Sequence, residues 1–150
     1  MRYCKNYKLN NSFNLPSIAK NIWFPESFLE LSDVLRTLKN KSFHILGSGT
    51  NIIMNKEINR IVSTKYLPKK LNKIDNNFIV SSNYLTHNFV VQVLKNFSGL
   101  ESLYGLPGTV GGAIAMNSGN GGQCISDNLL CCYVMNIDGF TKKYDKTELE

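Results

Sequence analysis

The sequence predicts an α+β fold in two lobes, and three features carry that prediction. They are a strand–helix–strand succession over residues 19–47, a second amphipathic helix opening near Thr86, and a hairpin signature over residues 129–144. The first lobe is expected over residues 1–70 and the second over 71–150, with the boundary in a Lys-rich turn region at 65–76. A chain of 150 residues, 43% of them hydrophobic, can bury a core of its own without disulfides or metal.

The first strand is expected at "AKNIWFP", residues 19–25, closed by Pro25. Ser27 and Glu30 then have the spacing of a capping box, and Phe28, Leu31, Leu35 and Leu38 recur at helical intervals with Asp33, Arg36 and Lys39 between them. "SFHILG", residues 42–47, follows as a strand parallel to the first, with His44 expected to be a hydrogen-bonded core residue. "NIIM" at 51–54, "INRIVST" at 58–64 and "NFIVSS" at 77–82 read as further strands. In the second helix Leu85, Phe89, Val93 and Phe97 repeat every fourth residue, Gly99 marks its C-terminal end, and His87 falls on its polar side. "LLCCYVMNI" at 129–137, the turn signal Asp138-Gly139 and "FTKKYD" complete a hairpin, in which Cys131 and Cys132 face opposite ways. "KTELE" opens a further element.

Composition narrows the function classes. The net charge of +6 invites a nucleic-acid reading, but Lys65, Lys69, Lys70 and Lys73 form the only local cluster and no aromatic residues interleave with them as a stacking platform requires. A solvated loop explains them. Apolar runs such as Leu129–Met135 are too short to cross a bilayer, and "MRYCKNYKLNNSF" lacks the apolar core of a secretory signal, so a cytoplasmic protein without membrane contact is expected. The four cysteines, Cys4, Cys124, Cys131 and Cys132, show no C-x-x-C pair and no zinc-binding spacing, and are expected as thiols in a reducing compartment, with no metal.

Two glycine-rich stretches stand apart. "GSGTN", residues 47–51, lacks the third glycine of a dinucleotide fingerprint and runs into strand-like sequence, which excludes a Rossmann loop. It fits a strand-to-strand loop in which Gly47 and Gly49 take conformations closed to other residues, so that backbone N–H groups converge on an anion and Ser48, Thr50 and Asn51 add side-chain donors. "LYGLPGTVGGAIAMNSGNGG", residues 103–122, has seven glycines among twenty residues yet keeps Leu106, Val110, Ile114 and Met116 apolar, which a flexible linker does not do. Pro107-Gly108 makes a rigid turn, Thr109 to Met116 starts a short helix, and the N–H groups at 109–112 are expected to point at a ligand. Gly111 and Gly112 leave room for it. Two such donor loops suit a diphosphate with a long body, and a β-branched residue at Gly111 is expected to block it while the fold survives.

"LGSGTN" followed about fifty residues later by "GLESLYGLPGTVGGAIAMNSG" resembles the flavin-binding region of the UDP-N-acetylenolpyruvoylglucosamine reductases, whose FAD-binding fold is of the vanillyl-alcohol-oxidase type. The resemblance runs from roughly Ser12 to the chain end. It implies a two-lobed, incomplete FAD-binding fold, with a β-α-β first lobe and an antiparallel second lobe. It also implies that FAD is held by Gly47, Ser48, Gly49, Thr50, Asn51, Pro107, Gly108, Thr109, Val110, Gly111, Gly112, Asn117 and Gly119. NADPH as hydride donor, a UDP-sugar substrate and a place in peptidoglycan precursor synthesis follow from the same resemblance. The chain departs from the family where Gly121 replaces an aromatic residue, Cys124 an acid, and Ser82-Asn83 a small–Gly pair. The family's arginine, serine and glutamate that do the chemistry match nothing before Glu150, so no catalytic residue is assigned, and a partner chain supplying the missing lobe has no signature here. A flavin-binding module without activity, and another flavin oxidoreductase of the same fold, are the competing readings.

Overall fold

The computed structural model describes residues 1–149. It divides into two compact units, each considered by itself. The first comprises Met1–Pro68 and Tyr133–Lys143, the second Lys69–Cys132 and the chain from Tyr144 onward.

The first unit is a four-stranded sheet with one helix. It contains β1 (Arg2–Lys8), β2 (Ile18–Phe24), α1 (Phe28–Thr37), β3 (His44–Leu46) and β4 (Glu57–Ser63), in the sheet order β1-β2-β4-β3. β2 and β3 run the same way across α1, as the β-α-β reading requires, but β4 lies between them and pairs with both in parallel. Burial explains the insertion. Ile61 and Val62 of β4 are buried in different clusters, the former with Leu9, Ala19, Ile22, Phe24, Leu46 and Met54, the latter with Val34 of α1 and Leu38 just beyond it. A strand apolar on both faces belongs in the middle of a parallel sheet, whereas β3, with only Leu46 buried, takes the edge. His44 is exposed on that edge strand, which corrects its assignment to the core.

The sequence reading did not foresee β1. Only Cys4 and Tyr7 are half-buried and its other residues are exposed, it carries Arg2, Lys5 and Lys8, and it pairs antiparallel with β2 as the other sheet edge. Asn6, at φ 50°, is absent from the pairing, but Lys5–Asn21 and Tyr7–Ala19 keep one register on either side of it. Residues 51–54, expected as a strand, are irregular, with Ile53 exposed and only Met54 buried.

α1 begins where the sequence placed it. Ser27 Oγ accepts from the Glu30 N–H at 3.2 Å. The return arm of the capping box is absent, because the Glu30 carboxylate accepts instead from the Glu26 N–H at 2.7 Å and the N-terminal ammonium at 2.6 Å. Those two donors hold the carboxyl of Glu30 below the usual range, the ammonium being the larger cause.

The second unit contains β5 (Leu71–Ile74), β6 (Asn77–Val80), α2 (Thr86–Val93), α3 (Val110–Ala115), β7 (Gly119–Asn120) and β8 (Gln123–Cys124). β5, read as part of a turn from its lysines, pairs antiparallel with β6 around Asp75 at φ 52°. Phe89, Val90, Val93, Leu100, Leu103, Val110, Ala113 and Ile125 form the core, each large aliphatic or aromatic side chain contributing about 1.5–3 kcal/mol. α2 stops at Val93, earlier than its apolar repeat suggested, and Phe97 beyond it packs edge-on against Phe78 at 5.4 Å. Gly99 serves another purpose than the helix end. Its carbonyl accepts from Asn128 Nδ2 at 2.6 Å, and any Cβ there would meet that amide at 2.9 Å. His87 is exposed, as expected, and lies 5.2 Å from the Tyr104 ring.

β9 (Cys131–Met135) and β10 (Thr141–Asp145) form a separate two-stranded ribbon. Asn136 N–H donates to Phe140 O at 2.8 Å and Gly139 N–H to Asn136 O at 2.9 Å. With Gly139 at φ 78°, this is a three-residue loop ending in a left-handed glycine, one residue longer than a plain Asp-Gly turn. The tip is fastened to α1, where Ser32 Oγ donates to Gly139 O at 3.1 Å, Arg36 Nε donates to Asp138 O at 2.8 Å, and Lys39 pairs with the Asp138 carboxylate. A single 3-10 turn at Lys146–Glu148 follows β10. Among the described residues, no helix is long and apolar enough to cross a membrane.

Candidate functional site

Residues 47–51 leave β3 and run on without a helix, so the exclusion of a Rossmann loop holds. Gly49 sits at φ 71°, and a Cβ on it would stand 2.8 Å from the carbonyl oxygen of Asn10. That glycine is required twice over, by its backbone angle and by the crossing of residues 9–12. Gly49 O in turn accepts from the Ser12 N–H at 3.3 Å, and the segment is held in place by Asn11, whose side-chain oxygen accepts from the N–H groups of Phe13 and Leu15. Gly47 does not adopt a positive φ, so only one of the two glycines takes the conformation that the sequence suggested for both. The N–H groups of Ser48, Gly49, Thr50 and Asn51 have no acceptor among the described residues. Ser48 Oγ and Thr50 Oγ1 lie 3.3 Å apart, and Ser48 and Asn51 are exposed. The loop therefore offers neutral donors to an anion without a fixed positive charge.

In residues 107–119 the donors divide differently. Thr109 caps α3, its Oγ1 accepting from the Gly112 N–H at 3.3 Å, while the Val110 N–H donates to Tyr84 O at 2.9 Å and the Gly111 N–H to Ser82 O at 2.7 Å. The N–H groups at 110–112 are thus committed inside the unit, which corrects the expectation that they face a ligand. Gly108, at φ 127°, and Thr109 keep N–H groups with no acceptor among the described residues, and Gly108 O accepts from Thr86 N–H at 3.0 Å. Pro107 is exposed before them and has no N–H to place.

The glycines of this stretch have separate reasons. A Cβ on Gly111 would stand 2.8 Å from Ser82 Cβ and 3.0 Å from its carbonyl oxygen, so Gly111 lets two backbone segments meet. A β-branched residue there would strike the fold before it struck a ligand, contrary to the expectation drawn from sequence. Gly112 is exposed, and its Cβ would make only an ordinary 3.4 Å contact with Thr109 Oγ1. Gly119 closes the two-residue pairing of β7 with β8, where a Cβ would overlap Gln123 O. Asn117, at φ 42°, follows α3 and accepts from the Ser126 N–H through its side-chain oxygen at 3.3 Å. Thus Gly111, Asn117 and Gly119 shape the segment, while Gly108 and Thr109 keep unpaired N–H groups and Gly112 is exposed.

Sequence reasoning missed the supports of both loops. Asn10 and Ser12 underlie the first. Ser82, Tyr84 and the Leu85–Thr109 bridge underlie the second. Ser82 and Asn83 had been noticed as a departure from the family pattern; the structure has Ser82 receiving Gly111 and Asn83 buried. Beside them the Thr86 hydroxyl is buried with no hydrogen-bond partner among the described residues. Within its own unit, each set of free N–H groups, at 48–51 in the first and at 108–109 in the second, suits a phosphate oxygen, because orphan donors gain charge-assisted bonds from it.

Comparison with known proteins agrees with this donor set. Residues 19–144 match the family model described as "FAD binding domain". The UDP-N-acetylenolpyruvoylglucosamine reductase of Flavobacterium johnsoniae is 33% identical over 139 residues, covering 89% of this chain and 40% of that protein. The reductase of the same name from Francisella tularensis is 32% identical, covering 93% of this chain and 51% of that protein. The crystal structure of the Thermus caldophilus UDP-N-acetylenolpyruvylglucosamine reductase superposes with a TM-score of 0.73 at 26% identity, over 92% of this chain and 50% of that one. The chain spans about half the length of the relatives it matches.

Proposed function

This chain belongs to the FAD-binding domain family, and from that premise we propose that it is the flavin-holding part of a reductase that makes UDP-N-acetylmuramate from UDP-N-acetylenolpyruvoylglucosamine with NADPH. The observation that carries the proposal is the run of four acceptor-free N–H groups at Ser48, Gly49, Thr50 and Asn51 on a loop that a glycine alone can close. When bound, FAD supplies hydride-transfer chemistry, and the protein supplies binding and orientation.

The proposed division of labour follows the donors. The N–H groups at 48–51, with the Ser48 and Thr50 hydroxyls and the Asn51 side chain, hold phosphate oxygens. The N–H groups of Gly108 and Thr109 act in the same way, and exposed Gly112 keeps side-chain bulk away from the cofactor. Pro107 and Val110 set the turn and the core contact of that segment, Gly111, Asn117 and Gly119 set its backbone course, and Gly47 leads from β3 into the first loop. None of these residues titrates near neutrality, so they hold the anion through oriented dipoles at any pH where the fold stands. The reductase role would place the protein in the cytoplasm, in peptidoglycan precursor synthesis.

The half-length match favours a second reading of the isolated chain, in which it binds FAD and turns over nothing. Adding FAD to the purified chain and recording its visible spectrum and fluorescence tests the binding; a spectrum that stays that of free flavin at saturating protein rejects it. NADPH oxidation with the UDP-sugar separates the readings. Turnover by the 150-residue chain alone would refute a half-enzyme.

A further inference from the structure

We infer that Asn120 is a modification site, at which the backbone nitrogen of Gly121 attacks the side-chain amide and the chain loses ammonia, leaving an aspartyl or isoaspartyl residue. The inference stands apart from the flavin reading and asks nothing of it.

This chemistry needs an asparagine whose following backbone nitrogen is unshielded and uncommitted. Asn120 alone among the asparagines precedes a glycine, and Gly121 is one of the places where the chain departs from the reductase pattern. Glycine leaves the attacking nitrogen bare and lets the backbone fold back on the side chain. β7 and β8 pair at Gly119–Cys124 and Asn120–Gln123, so Gly121 and Gly122 form a two-residue turn, at φ 62° and 85°. Asn120 and both turn glycines are exposed, and a Cβ built on either glycine meets nothing within 4 Å. Neither the Gly121 N–H nor the Asn120 carboxamide has a hydrogen-bond partner among the described residues. A ribbon of two short strands adds little restraint.

The other reactive pairs are held. Asn11-Ser12 and Asn117-Ser118 also place a small residue second, and Asp138-Gly139 can close the same ring from a carboxyl group. The Ser12 N–H donates to Gly49 O at 3.3 Å, while Asn11 Oδ1 accepts from the N–H groups of Phe13 and Leu15. The Ser118 N–H donates to Ala113 O at 2.8 Å, and Asn117 Oδ1 accepts from the Ser126 N–H. The Gly139 N–H donates to Asn136 O at 2.9 Å, and the Asp138 carboxylate pairs with Lys39. In each of these pairs the nitrogen that would attack is committed to a hydrogen bond and the side chain is tied, so ring closure needs local opening.

The step balances with water as the only co-reactant. The Gly121 nitrogen gives its proton to base and bonds to Asn120 Cγ, the Cγ–Nδ2 bond breaks, and ammonia leaves a cyclic imide. Water opens the imide at Cγ to give Asp, or at the main-chain carbonyl to route the backbone through the side chain. Either product carries a carboxylate in place of a carboxamide, which lowers the net charge of +6 by one.

The test incubates the purified, folded chain at two mildly alkaline pH values and follows it by isoelectric focusing, ammonia release and peptide mass spectrometry. The expected result is a single acidic step with one ammonia per chain, the new carboxylate at residue 120 in both linkages, and a faster rate at the higher pH. Asn120→Gln should abolish the step, because its ring would be one atom larger, and Asn120→Asp marks the shifted band. In urea Asn11, Asn117 and Asp138 should begin to react, whereas the rate at Asn120 stays the same. A residue 120 that keeps its carboxamide, an acidic step that survives in Asn120→Gln, or a rate at Asn120 that rises steeply on unfolding would each overturn the inference. No flavin is added, so its failure leaves the flavin reading untouched.

Discussion

Adjacent glycines in α3 should respond to alanine in opposite senses. At Gly111 a methyl group would stand 2.8 Å from Ser82 Cβ and 3.0 Å from Ser82 O, the same oxygen that accepts the Gly111 N–H at 2.7 Å. Overpacking of this kind costs about 1–3 kcal/mol, and stretching the hydrogen bond adds up to about 1 kcal/mol. Alanine's helix propensity returns about 1 kcal/mol, which leaves Gly111→Ala destabilised by up to about 3 kcal/mol. At Gly112 the methyl meets only Thr109 Oγ1 at 3.4 Å. Gly112→Ala should therefore gain up to about 1 kcal/mol. At roughly 2–4 °C per kcal/mol for a chain of this size, and with the propensity gain common to both, thermal unfolding should place Gly111→Ala at least about 2 °C below Gly112→Ala. Flavin titration adds a second axis: Gly112→Ala, though the more stable, should bind FAD more weakly because its methyl stands on open backbone. A Gly111→Ala protein as stable as Gly112→Ala would refute the reasoning that Ser82 is the reason for the first glycine.

Ser48→Ala combined with Thr50→Ala should leave thermal unfolding unchanged, since both hydroxyls face each other on an exposed loop, and should weaken FAD binding by about tenfold if each contributes about 0.7 kcal/mol. Isothermal titration would decide it, and unchanged affinity would remove the hydroxyls from the site. Gly139→Ala should loosen the hairpin tip, because the position has φ 78° and its Cβ would overlap Ser32 Oγ; faster exchange at residues 136–140 is the expected reading. The lowered pKa of Glu30 sets a pH dependence of defined sign. Its contribution to stability is present above the unfolded value of about 4.5 and is lost as pH falls through the lower folded value, so wild type and Glu30→Gln should converge on acidification. Urea midpoints that stay equally far apart from pH 6 to pH 3 would contradict the pairing with the N-terminal ammonium.

The sequence by itself determined what local chemistry controls. Ser27 at the head of an apolar stripe fixed the start of α1, the four-residue repeat around Phe89 and Val93 fixed α2, and Asp138-Gly139 fixed the position of a hairpin. The paired motifs "LGSGTN" and "GLESLYGLPGTVGGAIAMNSG" were long enough to indicate the FAD-binding family before any coordinates. Tertiary structure alone decided where β4 goes, because the preference of Ile61 and Val62 for two covered faces is settled by what lies above and below them. β1 and β5 were illegible for the same reason: charged edge strands are held by partners distant in sequence, and their own residues show no apolar alternation. Glycine is the sharpest case. In sequence Gly111 and Gly112 are indistinguishable, both expected to clear space for a ligand. Only the approach of Ser82, twenty-nine residues away in the chain, makes one a packing requirement and leaves the other bare.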